Sequence, residues 1–360
     1  MKILITAKNL KKATGVSNYF RVLKKYFTLD VEYFTVGARR AGENLIYKYL
    51  RTLMDFIKFY KKLKKNKYDL IHLNPSLNKK AVLREMFFAR LSIKFDIPFV
   101  VFFRGWSKDY EASLEENPPK LKKILNTFSK ATKIIVLSEE FKEKLTEWGF
   151  KETKIILETT VVEDKIFKYY KINNTENHKP EFNTLFLSRI ERDKGIYETL
   201  KAHKRLKQKF SFVKLLIAGD GPDLNEVKEY VKNENIEGVY FLGWVSGKEK
   251  VKVFRKSDVY LLPTTHGEGM PNAVLEAMAL GLPVITRKVG GLKDFFEHKK
   301  MGFITAETSP EVFSGFVEIL IKNTELKQKI SKYNHNYAEK RFKASRVVKR
   351  LENIYREAVK

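Results

Sequence analysis

The 360-residue chain contains no cysteine, which excludes disulfides, thiolate metal sites and thiol nucleophiles together. Histidine is scarce as well, with six residues, so few side chains remain that favour a transition metal. No stretch approaches the roughly 18 uninterrupted apolar residues of a membrane-spanning helix. The opening MKILITAKNL has no long apolar run after its charged residue, so it does not read as a leader. With 31% charged residues, an integral membrane protein is disfavoured, and the expectation is a cytoplasmic chain. Acidic residues are under-supplied, 43 against 70 Lys and Arg, for a formal charge of +27. Residues 1–170 contribute +16 and the remainder +11. Such a surplus suits an anionic partner, whether nucleic acid, an acidic membrane face or a phosphorylated substrate, and equally suits a lysine-rich solvated surface. No short repeat or low-complexity tract is present.

The length favours two domains, and 43% apolar residues supply two cores. In the first half, short β-rich runs alternate with helical stretches: KILITA (2–7), VEYFTV (31–36), YDLIHL (68–73), IPFVVFF (97–103), KIIVL (133–137) and KIILE (154–158). Runs that are apolar throughout suit strands covered on both faces, and repeated βα units predict a parallel, doubly wound, Rossmann-like sheet. The second half repeats the pattern with NTLFLS (183–188), VKLLIAG (213–219), GVYFLG (238–243), DVYLLP (258–263), PVIT (283–286) and GFIT (302–305). These runs predict an N-terminal domain over 1–168, a polar Asn-rich linker over 169–182 and a C-terminal domain over 183–340. A last helix over 341–360 has Val347, Leu351, Ile354 and Tyr355 on one face and is free to pack back on the N-terminal domain.

Three strings carry candidate chemistry. TTHGEGMPNAVLEAMALGLPVIT (264–286) follows a strand and opens a helix at about Pro271, and Pro suits a first helical turn. Glu268 then precedes the helix and Glu276 lies in its second turn. Backbone N–H groups around Gly269, Met270 and Asn272 offer a phosphate unpaired donors in a favourable dipole. The carboxylates suit sugar or ribose hydroxyls, since they would repel the phosphate. SRIERDKG (188–195) again ends a strand, placing Arg189 and Lys194 where ligands of open α/β sheets gather and where two cations neutralise a diphosphate. AGDGP (218–222) adds Gly219 and Asp220 at a third strand end. Each of these has a plainly structural reading when taken alone. His266 and His72 read first as structural histidines, and neither forms a metal-ligand spacing with another.

Together SRIERDKG, AGDGP, FLGWV and the Glu-x7-Glu string ending EAMALGLPVI resemble the retaining glycosyltransferases of family 4, the glycosyl transferases group 1. The resemblance covers the C-terminal domain. It implies a GT-B fold, two Rossmann-like doubly wound domains facing across a cleft, with a nucleotide-sugar donor in the C-terminal one. It also implies a hexosyltransferase-like enzyme in which Arg189 and Lys194 contact the diphosphate, Glu268 the donor sugar and Glu276 the ribose. Gly269 and Met270 would supply backbone donors, and the segment after Gly243 would line the base pocket. In the N-terminal domain ATGVSNYF (13–20) resembles the family's glycine loop, with Gly15 near the donor phosphate. One glycine stands there where two are usual. The family commonly has His before the Gly of FFRGW (102–106), whereas this chain has Arg104 before Gly105. Both are acceptor-side candidates, Arg104 for an acidic or phosphorylated acceptor or for charge on the leaving diphosphate; a structural arginine at a strand end fits as well. The segment 155–167 lacks the family's usual Asn-Gly turn. No Asp-x-Asp triplet occurs, so the expectation is no metal and no cofactor, the nucleotide-sugar being substrate.

Residues 45–67 place Ile46, Tyr49, Leu53, Phe56, Ile57 and Tyr60 on one helical face, and 58–67 hold six lysines without an acid. Two readings stay open, an ordinary helix burying that face and one docking on an anionic membrane at the inner face of the cell membrane. The second suits a lipid-linked glycan acceptor in surface polysaccharide or lipopolysaccharide synthesis. Nucleic-acid binding is not expected, since no recognisable module accompanies the dispersed charge. The alternative to an enzyme is a non-catalytic nucleotide-sugar or glycan binder of the same fold, while the Glu-x7-Glu string disfavours an epimerase or phosphorylase.

Overall fold

A computed structural model describes residues 1–10, 15–37, 44–170, 181–265 and 269–360. They group into two compact units, Met1–Val161 with Ala344–Lys360, and Val162–Lys343. The first unit is built on β1 (Lys2–Ala7), β2 (Asp30–Thr35), β3 (Leu70–Leu73), β4 (Phe99–Phe102), β5 (Lys133–Val136) and β6 (Ile155–Leu157). They pair in parallel in the order β2-β1-β3-β4-β5-β6. Every residue of β3 and β4 is buried, as strands covered on both faces require. Helix α1 (Gly15–Leu23) follows β1, and α2 (Leu45–Lys65) and α3 (Lys79–Lys94) flank β3 in sequence.

The C-terminal helix Ala344–Val359 belongs to this first unit. Its Val347, Val348, Leu351 and Tyr355 are buried among Ile3, Ile5, Phe20 and Val100. Glu352 fastens it by accepting from Thr28 N at 2.6 Å and Oγ1 at 2.7 Å, and Arg350 by pairing with both Glu158 oxygens at 2.6 and 3.0 Å. The first unit gives way to the second after Val161 rather than at 168, because Val162, Ile166 and Phe167 are in the second unit's core. Most of the polar stretch 169–182, residues 171–180, lies outside the described residues.

The second unit contains β7 (Phe182–Leu187), β8 (Val213–Ala218), β9 (Val239–Gly243), β10 (Val259–Leu262), β11 (Val284–Arg287) and β12 (Gly302–Thr305). The order β12-β11-β10-β7-β8-β9 is again parallel throughout. β7 opens the sequence and β10 sits on its other side, so the chain reverses its direction of travel across the sheet between them. Open α/β sheets bind ligands beyond the carboxyl ends of strands at such a switch point.

α2 departs from the expectation of an ordinary helix that buries that apolar face. Core contact is made by Phe59 and Leu63, with Phe56 partly covered, where Phe59 meets Phe34 and Phe88 at ring distances of 5.1 and 4.3 Å. The stripe of Ile46, Tyr49, Leu53 and Ile57 is exposed. Among the described residues no helix is long and apolar enough to cross a membrane.

Candidate functional site

In the second unit the three strings meet at the ends of β10, β7 and β8. After β7, Ile190 N donates to Asp220 O at 3.0 Å, and Arg192 N donates to the Asp223 carboxylate at 2.7 Å, so SRIERDKG is laid against AGDGP. A 3₁₀ turn over Arg192–Lys194 then ends in Gly195 at φ +79°. Its Asp193 carbonyl accepts from Thr264 Oγ1 at 3.0 Å and Thr265 N at 2.9 Å. The approach is close enough that a Cβ on Gly195 would stand 2.4 Å from Pro263 O. SRIERDKG is thus bonded to both neighbours, and the loop leading to Glu268 starts beside Lys194.

An open depression of about 460 Å³ results, lined by Arg189, Glu191, Arg192, Asp193, Lys194 and Asp223. Lys194 is 8% exposed, whereas Arg189 is largely solvent-facing and pairs with Glu191 at 2.7 Å. Arg192 leans over the Tyr197 ring at 4.7 Å and pairs with Glu226 at 3.1 Å. Gly219 takes φ +146°, and the Asp220 carboxylate accepts from Gly221 N at 2.8 Å. The lining therefore sets three cations beside three carboxylates, with Arg189 and Arg192 drawn into ion pairs.

The helix after β10 runs Asn272–Ala279, with Pro271 as its N-cap residue. Gly269 O accepts from Gly291 N at 2.9 Å, tying this segment to the loop after β11. Met270 is half-buried against the core. Glu276 is buried and its carboxylate takes the Lys250 ammonium at 2.6 Å. Lys250 was not legible as a partner, since it stands 26 residues away on another helix. Glu268 and His266 lie outside the described residues.

In the first unit Gly15 opens α1, and residues 11–14 before it are outside the described set. Arg104 follows β4, with its guanidinium over the Tyr19 ring at 3.8 Å and the Phe102 ring at 4.5 Å. Among the described residues its Nε and Nη1 are buried without a hydrogen-bond partner. Burial lowers its pKa to about 10 against the opposing pull of Tyr19 and Glu158, so it remains cationic at neutral pH. Gly105 lets its loop close on Ser76, whose Oγ would be 3.0 Å from a Cβ there. His72 is fully buried, with Nδ1 on the Tyr355 hydroxyl. Burial, with Arg104 beside it, lowers its pKa to about 3, leaving a neutral structural ring. The Glu158–Arg350 pair near Arg104 was hidden from the sequence by a separation of 192 residues.

Two doubly wound parallel sheets, with glycine-bearing turns at the strand ends of the second, define a chain of the Rossmann class. A family model described as glycosyl transferases group 1 matches residues 170–337, and one described as glycosyltransferase family 4 matches residues 28–157. The chain belongs to these family 4 glycosyltransferases, with the GT-B fold. It is 25% identical over 235 residues to the uncharacterized glycosyltransferase MJ1069 of Methanocaldococcus jannaschii, covering 64% of this chain and 57% of that protein. It is 28% identical over 241 residues to the capsular polysaccharide biosynthesis glycosyltransferase CapM of Staphylococcus aureus, covering 64% of this chain and 63% of that one. The matches thus span about 60% of these two relatives' lengths. Anabaena HepE, solved in complex with UDP, superposes with a TM-score of 0.74 at 20% identity over 98% of this chain and 99% of HepE.

Proposed function

We propose that the protein is a hexosyltransferase that moves a sugar from a nucleoside diphosphate sugar to a glycan or lipid-linked glycan in surface polysaccharide or lipopolysaccharide synthesis. The observation that carries this reading is the convergence of SRIERDKG, AGDGP and the Thr264–Thr265 loop at the β10–β7–β8 strand ends, with Lys194 and Arg189 lining the depression. In this reading Arg189 and Lys194 hold the diphosphate. Backbone N–H groups of Gly269, Met270 and Asn272 support it, with Gly219 and Asp220 bordering the site. Glu276 takes the ribose and Glu268 the sugar hydroxyls. These cations and the helix start supply the positive potential that a metal provides elsewhere, so the proposal is metal-independent.

The acceptor hydroxyl oxygen bonds to the anomeric carbon as the carbon–phosphate oxygen bond breaks. The departing phosphate takes the acceptor's proton on the same face, giving retention. Arg104, with Nε and Nη1 buried and unpartnered among the described residues, and Gly105 serve the acceptor side. HepE binds UDP and CapM acts in capsular polysaccharide synthesis, which makes UDP-sugars and lipid-linked glycans the first substrates to try. A lipid-linked acceptor would be met by a cytoplasmic enzyme at the inner face of the membrane. A binder of the same fold would retain affinity for the nucleotide and release none of it from the sugar.

The test follows nucleoside diphosphate release from UDP-, GDP- and ADP-sugars with lipid-linked glycan extract, with and without EDTA. Release with one donor class, undiminished by EDTA and roughly 10²–10³-fold lower in Glu268→Gln, is expected by analogy with losing one transition-state contact. Equal rates in that variant would remove Glu268 from the site, and loss of release in EDTA would overturn metal independence.

A further inference from the structure

α2 carries a surface that the sugar-transfer reading leaves unexplained. Ile46 and Tyr49 are 73% and 76% exposed, and Leu50, Leu53, Met54 and Ile57 between 47% and 52%. Ile46, Leu50, Leu53 and Ile57 follow the i, i+4, i+7, i+11 spacing of one helical stripe, about 17 Å long at 1.5 Å per residue. The later part of the helix is held to the body, where Phe56 stacks on Phe87 at 3.8 Å and Phe59 and Leu63 enter the core. On α3, Leu83, one turn before Phe87, is also exposed and extends the apolar area.

Charge decides what covers this stripe. The acidic side chain within α2 is Asp55, which is buried beside Arg51 at 3.6 Å. The exposed lysines beside and beyond the stripe are Lys58, Lys61, Lys64 and Lys65, and Lys79 and Lys80 stand exposed at the start of α3. A second copy laid on this face by two-fold symmetry would oppose lysines with lysines, in a chain already carrying +27. An anionic bilayer takes both parts at once, the apolar stripe entering the acyl boundary while the ammonium groups remain among lipid phosphates. We infer that residues 46–57 of α2 form an interfacial membrane-docking element selective for anionic lipid. The inference stands on the exposed face alone and is independent of the sugar-transfer reading.

Sedimentation of the full chain with vesicles tests it, using phosphatidylcholine alone and phosphatidylcholine with about a third phosphatidylglycerol. Expected is binding to the anionic vesicles at least 10-fold tighter than to neutral ones, weakening as salt screens the lysines. The double variant Leu53→Glu/Ile57→Glu should lose at least 10-fold of that binding while keeping the wild-type melting temperature. Since both side chains are already exposed, misfolding is not expected, and the melt shows whether it occurs. Lys58→Gln/Lys61→Gln, which leaves the apolar stripe intact, should lower binding and flatten its salt dependence. Equal binding of wild type and the glutamate variant would overturn the inference. So would binding without preference for anionic lipid, or a dimer in solution that the glutamate variant dissociates while vesicle binding is absent.

Discussion

Lys194→Ala is expected to lower sugar transfer by roughly 10²–10³-fold, the cost of removing one group that meets developing charge in a transition state, with little change in fold. The turn that carries Lys194 is held by its backbone: Gly195 N donates to Arg192 O at 2.9 Å, and Asp193 O receives Thr264 and Thr265. Truncating the side chain leaves those bonds in place. It removes a cation from a depression that also contains Glu191, Asp193 and Asp223, shifting the local balance toward repulsion of a diphosphate. Lys194→Arg keeps the charge but not its compact geometry, so it should fall between wild type and alanine. Initial rates of nucleoside diphosphate release, read beside a thermal melt, check this. A rate within a factor of three of wild type would remove Lys194 from the clamp.

Gly219→Ala should be among the most damaging small substitutions in the second unit. At φ +146° a side chain is strained, and the added Cβ would lie 1.9 Å from Ser188 O and 3.1 Å from Ser188 C. The clash is with backbone, so no rotamer change relieves it. Strain of about 1–3 kcal/mol adds to roughly 1–3 kcal/mol for overpacking. The movement that relieves it pushes SRIERDKG off AGDGP, which opens the site as well as loosening the core. Gly315→Ala is the matched control: it lies in the helix Pro310–Lys322 with nothing within 4 Å of its Cβ. There alanine should be neutral or stabilising by up to about 1 kcal/mol. Denaturant midpoints of the two variants should therefore move in opposite directions or by very unequal amounts. Similar small shifts would show that the β7 and β8 loops are not in the contact described.

All twelve strands were legible because their runs are short and β-rich, and the central ones are apolar throughout, while the edge strands β2 and β9 are largely part-exposed; KILITA and GFIT match β1 and β12 residue for residue. The strings at the strand ends were legible for a related reason. Glycine, proline and opposed charges cluster where a parallel strand hands over to a helix, and three such places fall on adjacent strands. Helical periodicity, by contrast, tells which side chains share a face and not which face meets the core. In α2 the longer apolar stripe faces out, and the shorter Phe59–Leu63 edge packs inward. Pairings such as Lys250 with Glu276 and Arg350 with Glu158 join elements distant in sequence, and a single lysine or arginine in a charged chain gives no local sign of its partner. The change of unit at Val161 was masked likewise, because Val162, Ile166 and Phe167 continue an apolar segment that begins in the first unit.

The central claim, a nucleoside diphosphate sugar held in the second unit without a metal, is tested most directly by thermal shift against UDP, GDP, ADP and their sugar conjugates, with and without EDTA. A ligand at 100 times its Kd stabilises the folded state by about 2.7 kcal/mol, which moves the melting temperature by several degrees. The account predicts such a shift with one base class, unchanged by EDTA and absent in Gly219→Ala. No shift with any of these nucleotides, or one that appears only when a divalent metal is supplied, would contradict it.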